Sequence, residues 1–175
     1  MSLINNMYFQ TNKNKKEVLK NRLETFYPLG VLSNTKNIAK NRSIIQVQFS
    51  ISQQYENKID ELVQTLIYKQ NPLLCSIKKS SENPTELNLS FVQKGWVIAI
   101  DFPKSKFDSS QIRQFYKKLQ KYGGKIYLAK DSTLTEKEFK SQYENFGKWS
   151  KIVKTIDPNN LFQSELSYRL GLKKW

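Results

Sequence analysis

The sequence predicts an α+β fold, in which a ferredoxin-like antiparallel sheet carries its helices on one face and is followed by a helical C-terminal tail. Two segments, 43–51 and 95–102, alternate apolar and polar residues as half-buried strands do. Two others, about 52–70 and 108–122, place apolar residues at helical spacing. The order is strand, helix, strand, an optional short strand, strand, helix and strand, which is a split βαβ arrangement.

The first half of the sheet begins with the strand at 43–51, SIIQVQFSI. Its apolar residues point to one side, while Gln46 and Gln48 point to the other. Ser52 is of the residue type that begins helices, so we expect it to cap the first helix. The second strand is expected at 73–78.

The second half repeats this pattern around the strong strand at 95–102, GWVIAIDF. A short strand at 87–92 would precede it. Asp108 or Ser109 is expected to cap the second helix. This helix ends at Tyr-Gly-Gly, 122–124, because glycine readily adopts the left-handed conformation that follows a helix.

A last strand is expected at 125–128, and the residues after 130 read as helices. Thr133 or Thr135 would begin the first helix of this tail, and Ser164 would cap a short final one. The tail does not complete the sheet, so we treat it as a separate unit. The expected parts are an N-terminal arm and loop at 1–42, the sheet at 43–128 and the helical tail at 129–175.

Strand alternation assigns the two faces of the sheet. The helix-covered face is predicted to carry Ile45, Val47, Phe49, Cys75, Ile77, Trp96, Ile98 and Ile100. The opposite face, called the open face below, is predicted to carry Gln46, Gln48, Ser76, Lys78, Val97, Ala99 and Tyr127. Its amides and lysine suit a polyol or a phosphate, although an ordinary solvated face would look similar, and no second wall is expected. Cys75 is expected to be a buried, inert thiol.

The composition excludes several kinds of site. One cysteine and no histidine rule out an internal disulfide, a Cys/His metal cluster and a catalytic arrangement that uses histidine. There is no Gly-rich phosphate loop of either common spacing, and no metal site is expected. No run approaches the roughly 20 apolar residues of a membrane span. The first residues lack the apolar core of a signal peptide, so the cytoplasm is expected.

The net charge of +14 suggests a polyanionic partner as an alternative. Lysines outnumber arginines by 25 to 4, however, whereas nucleic-acid interfaces favour the planar guanidinium. A basic ferredoxin-like module that binds RNA would also place aromatic side chains on its central strands, and the predicted open face has none there. A nucleic-acid partner is therefore the less favoured interpretation.

Five motifs, in order, resemble one known family. They are FYPLG at 26–30, IIQVQFSIS at 44–52, GWVIAIDFP at 95–103, GGKIYLAKDS at 123–132, and a tail with Trp149, Asp157-Pro158, Phe162, Ser164 and Arg169-Leu170. Together they resemble the C-terminal half of FAD-linked oxidases of the vanillyl-alcohol-oxidase fold. Within that fold the chain is most similar to the decaprenylphosphoryl-β-D-ribose oxidases and aldonolactone-oxidase-like proteins.

The resemblance implies roles for five residues. Lys130 and Tyr127 match motif residues that line the flavin and substrate site, so they are the candidate catalytic residues. Lys130 is also the candidate cofactor-binding residue. Gln46 and Gln48 match glutamines that face the substrate, and Lys78 matches a pocket lysine on the next strand.

The resemblance also implies a function. The chain would be the C-terminal, substrate-binding portion of a FAD-dependent oxidoreductase that oxidises a sugar or sugar-alcohol hydroxyl. Its partners would be a sugar or sugar-phosphate substrate and a FAD-binding domain, either a missing N-terminal half or a separate chain. Alone it would bind FAD weakly or not at all and would be inactive. The alternative is that the chain is an inactive truncated fragment. Val97 and Ala99 replace an asparagine and a cysteine of the family, which removes a polar contact.

Overall fold

The computed structural model describes residues 6–7, 9–11, 13, 43–81 and 88–173. The chain divides into two compact units, Met1–Ser43 and Ile44–Trp175. In the first unit the described residues 6–7 and 9–11 are helical. The FYPLG motif at 26–30, and with it most of the predicted N-terminal arm and loop, lies outside the described residues.

The second unit contains a sheet of four strands. These are β1 (Ile44–Ser52), β2 (Leu74–Ser80), β3 (Gly95–Pro103) and β4 (Lys125–Ile126). Their spatial order is β2-β3-β1-β4, and each neighbouring pair is antiparallel. With one helix between β1 and β2 and another between β3 and β4, this is the split βαβ arrangement. The predicted ferredoxin-like α+β fold is confirmed.

The register of the strands fixes the two faces of the sheet. Ala99 of β3 lies opposite Gln48 on one side and opposite Ser76 on the other. Directly opposite residues of antiparallel strands point to the same face. Gln48, Ala99 and Ser76 therefore share the open face, as the alternation of the sequence predicts.

The first helix is shorter than expected. Helix α1 spans Ile59–Ile67 and is preceded by a 3-10 turn, Gln53–Lys58. Ser52 holds the N-cap position of the 3-10 turn, but its side chain makes no capping hydrogen bond and it does not cap α1. The physical reason is Tyr55, whose φ of −111° and ψ of 19° interrupt the helical backbone between the turn and the helix.

The second helix, α2 (Ser109–Lys121), follows the prediction at both ends. The Asp108 carboxylate accepts a hydrogen bond from the Ser110 backbone N–H at 2.8 Å, which caps the first turn. At the other end Gly123 has a φ of +60°, the left-handed conformation that ends the helix. The helix then turns directly into β4.

The core lies between these two helices and one face of the sheet. Phe49 and Phe115 meet there edge to face, with ring centroids 4.9 Å apart. The other fully buried apolar side chains of this layer are Ile51, Leu62, Leu66, Ile98, Ile100, Phe102, Ile112 and Leu119. All the strand residues in this set come from β1 and β3, the two central strands.

The edge strand β2 departs from the prediction. Cys75 lies opposite Ile100 and therefore faces the helix side, yet it is exposed, and Ile77 is 52% exposed. The buried side chains of the helix layer lie over β1 and β3 and leave the outer strand uncovered. The expectation that Cys75 is a buried thiol is therefore wrong.

The short strand expected at 87–92 is also not formed in the part that is described. Residues 88–94, called the covering loop below, have no strand hydrogen bonding. Gly95 follows the covering loop with a φ of +149°, and an added Cβ there would lie 2.3 Å from the Ile51 carbonyl oxygen. Glycine at this position lets the chain pass close to β1 as it enters β3.

The tail contains three helices, α3 (Glu136–Gln142), α4 (Phe146–Ile156) and α5 (Glu165–Arg169). Thr135 and Ser164 cap α3 and α5 as predicted. No helix in the described ranges is long and apolar enough to cross a membrane.

The tail packs on the sheet within the same compact unit. The Tyr143 hydroxyl donates to the Ile126 carbonyl at 2.5 Å, and the Ile126 N–H donates to Gln142 at 2.8 Å. Tail residues buried in the same core as the strands are Leu134, Phe139, Tyr143, Leu170 and Leu172. That the tail also packs on a FAD-binding domain stays a prediction.

Candidate functional site

Three neighbouring cross-strand rows of the open face hold its predicted strand residues. Each row has one residue from β1, one from β3 and one from β2, and the rows are Gln46–Asp101–Leu74, Gln48–Ala99–Ser76 and Ser50–Val97–Lys78. Successive rows on one face are about 7 Å apart, since they are separated by two residues of strand. The first two rows hold both predicted glutamines.

Tyr127 extends the second row at the β4 edge. Its backbone N–H donates to the Gln48 carbonyl at 2.8 Å, one residue beyond the end of β4. The preceding Ile126 lies opposite Phe49 in the core. Because side chains alternate along an extended chain, Tyr127 points to the open face beside Gln48.

Lys130 follows Tyr127 by three residues, at the β4 edge of the sheet. It ends a 3-10 turn, Leu128–Lys130, whose last N–H donates to the Tyr127 carbonyl at 3.0 Å. Its side chain is exposed, and no carboxylate of the described ranges pairs with it. Lys130 and Gln46 also line a small cavity, whose other lining residues belong mostly to the helix-covered side of the sheet, among them Ile45, Val47 and Ile126. The ammonium group is therefore exposed at the edge of the sheet.

Gln46 has a partner that sequence reasoning missed. Its side-chain Nε2 donates to the Asp101 Oδ1 at 2.6 Å across the β1–β3 pair. This bond uses one of the two amide N–H groups, so the second N–H and the amide oxygen of Gln46 are left for a ligand. Alternation placed Asp101 on the open face, but the register that sets it opposite Gln46 depends on how the strands align.

Asp131 follows Lys130 directly, and its carboxylate is completely buried. Its Oδ1 accepts from the Thr133 N–H at 2.9 Å and from the Leu134 N–H at 2.8 Å. Its Oδ2 lies 2.8 Å from Nη2 of Arg169, an ion pair without the directionality of a hydrogen bond. Asp131 thus fixes the chain immediately after the turn that presents Lys130.

This role of Asp131 was not predicted from the sequence. The signal was present, because an aspartate followed by small polar residues commonly accepts hydrogen bonds from the next backbone N–H groups. The Arg169 partner could not be found in this way, since it comes from the far end of the tail.

A second set of bonds supports the same segment from helix α2. The Tyr116 hydroxyl lies 2.8 Å from the Thr133 hydroxyl, and Arg113 binds both Glu138 and the Thr133 carbonyl. Burial raises the pKa of Tyr116 far above its usual value, so its hydroxyl keeps its proton at neutral pH. These contacts hold residues 131–134 against the helix layer.

The covering loop lies over the third row of the open face. The Ser50 hydroxyl donates to the Phe91 carbonyl, and Gln93 Nε2 donates to the Ser50 Oγ and the Gly123 carbonyl at 3.1 Å each. Ser50 is completely buried and Val97 is 9% exposed, although both point to the open face. The expectation that the chain offers no second wall is therefore wrong at this end of the sheet.

The structure thus gathers three of the five predicted site residues on one face. Gln46, Gln48 and Tyr127 lie at the uncovered end of the open face, near the β4 edge, and Lys130 follows Tyr127 in the next turn. Lys78 is exposed on the edge strand, in the row that the covering loop crosses, and is not brought into this group. The roles predicted for all five residues stay predictions.

The uncovered rows are polar and hold no aromatic ring on the central strands of the described structure. Asp101 also places a carboxylate there. Single-stranded nucleic acids bind to basic surfaces with exposed aromatic rings, and that such a partner is the less favoured one stays a prediction. Among the described residues no group of carboxylate or cysteine side chains could hold a metal ion.

Residues 93–170 match the family model of D-arabinono-1,4-lactone oxidase. The resemblance to FAD-linked oxidases is thereby confirmed. The matched segment contains Tyr127, Lys130, Asp131 and Arg169. It includes β3 from its beginning and continues almost to the end of the described tail.

Two curated proteins are also similar to this chain. Over 169 residues the chain is 21% identical to the decaprenylphosphoryl-beta-D-ribose oxidase of Mycolicibacterium smegmatis, covering 97% of this chain and 37% of that protein. Over 85 residues it is 26% identical to a Streptomyces coelicolor protein described as an uncharacterized protein in the mprA 5' region, covering 48% of this chain and 23% of that protein. The chain therefore spans little more than a third of the length of the Mycolicibacterium smegmatis protein.

The members of this family are FAD-dependent oxidases, and the residues of the site fit part of that cofactor. An exposed ammonium on a firmly held turn, as at Lys130, suits the electron-rich edge of a flavin ring. The pyrophosphate of FAD, in contrast, is commonly held by a Gly-rich loop at a helix N-terminus, and the sequence contains no such loop.

Proposed function

We propose that this chain is the substrate-binding, C-terminal portion of a FAD-dependent oxidoreductase that oxidises a hydroxyl group of a sugar or sugar alcohol. The proposal rests on one observation. Gln46, Gln48 and Tyr127 lie at the same uncovered end of one sheet face, and Lys130 follows Tyr127 in a turn within the segment that matches the oxidase family.

The second row of the open face supplies the groups that a sugar needs. Gln48 offers an amide with both donors and an acceptor, and Ser76 offers a hydroxyl two strands away. Gln46, whose nitrogen is bonded to Asp101, offers its amide oxygen as an acceptor for a sugar hydroxyl. Ala99 between them leaves space above the sheet for the ring itself.

Lys130 and Tyr127 are the groups closest to the chemistry in this proposal. FAD, when bound, supplies the acceptor for the hydride that leaves the oxidised carbon. The Lys130 ammonium stabilises negative charge at the edge of the sheet, where a preorganised cation is most effective. The Tyr127 hydroxyl lies beside Gln48 and can donate to or accept from the reacting hydroxyl group.

The partner in this proposal is a FAD-binding domain, carried either on an N-terminal half or on a separate chain. Two observations support it. The chain spans 37% of the length of the Mycolicibacterium smegmatis relative, and it has no pyrophosphate-binding loop of its own. The isolated chain is then inactive and binds FAD weakly or not at all. The proposed compartment is the cytoplasm.

Substrate binding can be tested on the chain as it is. Titration with D-ribose 5-phosphate, followed by two-dimensional NMR, should shift the amide signals of Gln48 and its neighbours. Gln48→Ala should weaken the affinity by about two- to tenfold, which corresponds to one lost hydrogen bond. The matched control is Gln54→Ala, at an exposed position of the 3-10 turn, which should bind as the wild type does.

The redox role requires the flavin. Co-expression with the FAD-binding half of the Mycolicibacterium smegmatis relative should give a complex that absorbs visible light as oxidised flavin does. Lys130→Gln should lower its turnover by about 10²–10³-fold, as the loss of one charge-stabilising group does elsewhere. Lys137→Gln, an exposed lysine of α3, is the control. A complex without flavin, or equal turnover in both variants, would contradict the proposal.

A further inference from the structure

The covering loop does more than shield the end of the sheet. We propose that Phe91 is a positioning residue that sets the size of the ligand on the open face, by holding the Tyr127 ring as a wall beside the uncovered rows. Phe91 lies outside the motifs that carry the family resemblance. The identity of the ligand as a sugar rests on the proposed function, whereas the contact between the two rings does not.

The covering loop is anchored at its last residue and near its middle. The Gln53 N–H donates to the Lys94 carbonyl at 2.9 Å, which ties the last residue of the covering loop to the end of β1. In the middle, Ser50 and Gln93 form the hydrogen bonds that seat the covering loop on the sheet. Its apolar side chains, Leu89 and Phe91, are partly buried against the core. Such a loop is a fixed part of the surface.

Phe91 is stacked on Tyr127. The two ring centroids are 4.3 Å apart and the ring planes are inclined by 26°. One face of the tyrosine ring is therefore occupied by Phe91. Only the opposite ring face and the hydroxyl remain for a ligand, and both border the row that contains Gln48. An aromatic stack restricts the ring more than an aliphatic contact would, because the preferred offset geometry is specific.

The stack limits the area of the open face. Between Ser76 on β2 and Gln48 on β1 there are two strand spacings, about 10 Å, and between the two uncovered rows there is about 7 Å. The covering loop blocks extension toward Ser50, and the Tyr127 ring borders the β4 side. One sugar ring fits this area flat on the sheet. A second linked ring would meet the covering loop on the side of Ser50 and the Tyr127 ring on the β4 side, so these two borders limit where a larger ligand can extend.

The contact between the rings can be tested without any ligand. Nitration with tetranitromethane, mapped by mass spectrometry of peptides, reports how accessible each tyrosine is. Phe91→Ala and Phe91→Leu should both raise the nitration rate of Tyr127, by about two- to tenfold for the loss of one aromatic pair. Tyr168, which is 79% exposed, serves as the internal reference and should react equally in all variants.

The leucine variant and one control separate this effect from damage to the fold. Phe91→Leu keeps an apolar side chain against the core and should retain the wild-type thermal unfolding midpoint more closely than Phe91→Ala. Phe162→Ala removes an equally large ring that is 78% exposed in the tail, and it should leave Tyr127 unchanged. An unchanged nitration rate of Tyr127 in the folded Phe91→Leu variant would overturn the proposal.

Ligand size is tested with two probes, D-ribose 5-phosphate and the disaccharide trehalose 6-phosphate, titrated by NMR. The wild type and Phe91→Tyr, which retains a stacking ring, should both bind D-ribose 5-phosphate. Their affinity for trehalose 6-phosphate should be lower by about tenfold or more, because its second ring meets one steric conflict. In Phe91→Ala and Phe91→Leu the ratio of the two affinities should fall toward one. Discrimination that is the same in all four proteins would refute the size role of Phe91. If neither probe binds to any of them, the proposed function and the size role both fail, while nitration still decides whether Phe91 positions Tyr127.

Discussion

The guanidinium of Arg169 lies 2.8 Å from the carboxylate of Asp131, which is 38 residues earlier in the chain. Arg169 also donates to the Leu134 carbonyl, so it closes the segment that follows Lys130. The last helix of the tail thereby fixes the turn that presents the candidate catalytic lysine. A contact between two segments that are distant in sequence thus helps to fix the position of Lys130.

Removal of Arg169 should destabilise the protein. Arg169→Ala leaves the buried carboxylate of Asp131 without its cation, and we expect a loss of about 2–4 kcal/mol in the free energy of unfolding. The expected value is below that of a fully buried pair, because Arg169 is 31% exposed and solvent screens part of its charge. Urea denaturation followed by circular dichroism measures the change.

A surface pair provides the comparison. Lys140 and Glu136 form an exposed ion pair one helical turn apart, at 2.8 Å. Lys140→Ala should change the stability by no more than about 0.5 kcal/mol. Equal losses of stability in Arg169→Ala and Lys140→Ala would show that the buried ion pair contributes no more than the exposed one.

Two glycines should respond in opposite ways to alanine. Gly95→Ala places a Cβ 2.3 Å from the Ile51 carbonyl oxygen in a backbone of φ +149°, and we expect about 2–5 kcal/mol of destabilisation. Gly147 has no atom within 4 Å of its would-be Cβ, so Gly147→Ala in α4 should stabilise by about 0.4–1 kcal/mol. Thermal unfolding midpoints of the two variants test both signs.

Stability should fall in acid through Asp157. A hydrogen bond from Lys173, with further backbone bonds from Leu161 and Phe162, holds the pKa of Asp157 below its usual value. Because the folded pKa is the lower one, this contribution is complete above the unfolded value of about 3.9 and is lost as the pH falls through the folded pKa.

The test of that linkage uses two variants. Asp157→Asn and Lys173→Met should each flatten the acid side of a plot of unfolding midpoint against pH, and each should approach the wild type at the lowest pH. Curves that stay parallel to that of the wild type at every pH would show that this pair does not account for the acid sensitivity.

Cys75 should react in the folded protein. It is exposed on the edge strand, so a maleimide should label it stoichiometrically without denaturant. Partial burial raises the pKa of its thiol, so the labelling rate should keep increasing with pH beyond the usual thiol range near about 8.5. Mass spectrometry counts the label, and Cys75→Ser gives the blank. Labelling that requires urea would contradict the exposed position.

Local patterns predicted most of the sheet. Alternation in β1 and β3 fixed which residues share a face, because the two-residue period of a strand leaves no freedom once one side is apolar. The caps at Asp108 and Thr135 were also predictable, since each bonds to a backbone group within three residues. These features depend only on neighbours in the chain.

The errors and omissions have a common cause, which is dependence on distant residues. Alternation gave the direction of Cys75, but its exposure depends on where the helices end over an edge strand. Phe91 was read as part of a possible strand, whereas its position is set by Ser50 and Tyr127, each more than 35 residues away in the chain. The partner of Gln46 likewise depends on the strand register.

The shared core of the sheet and the tail has a consequence for how such a protein can be inherited. Leu170 is completely buried together with side chains of β1 and β3, and Tyr143 is bonded to the end of β4. A recombination breakpoint between β4 and α3 would leave each of the two resulting fragments with an incomplete core. Residues from β1 to α5 should therefore pass between genes as one unit.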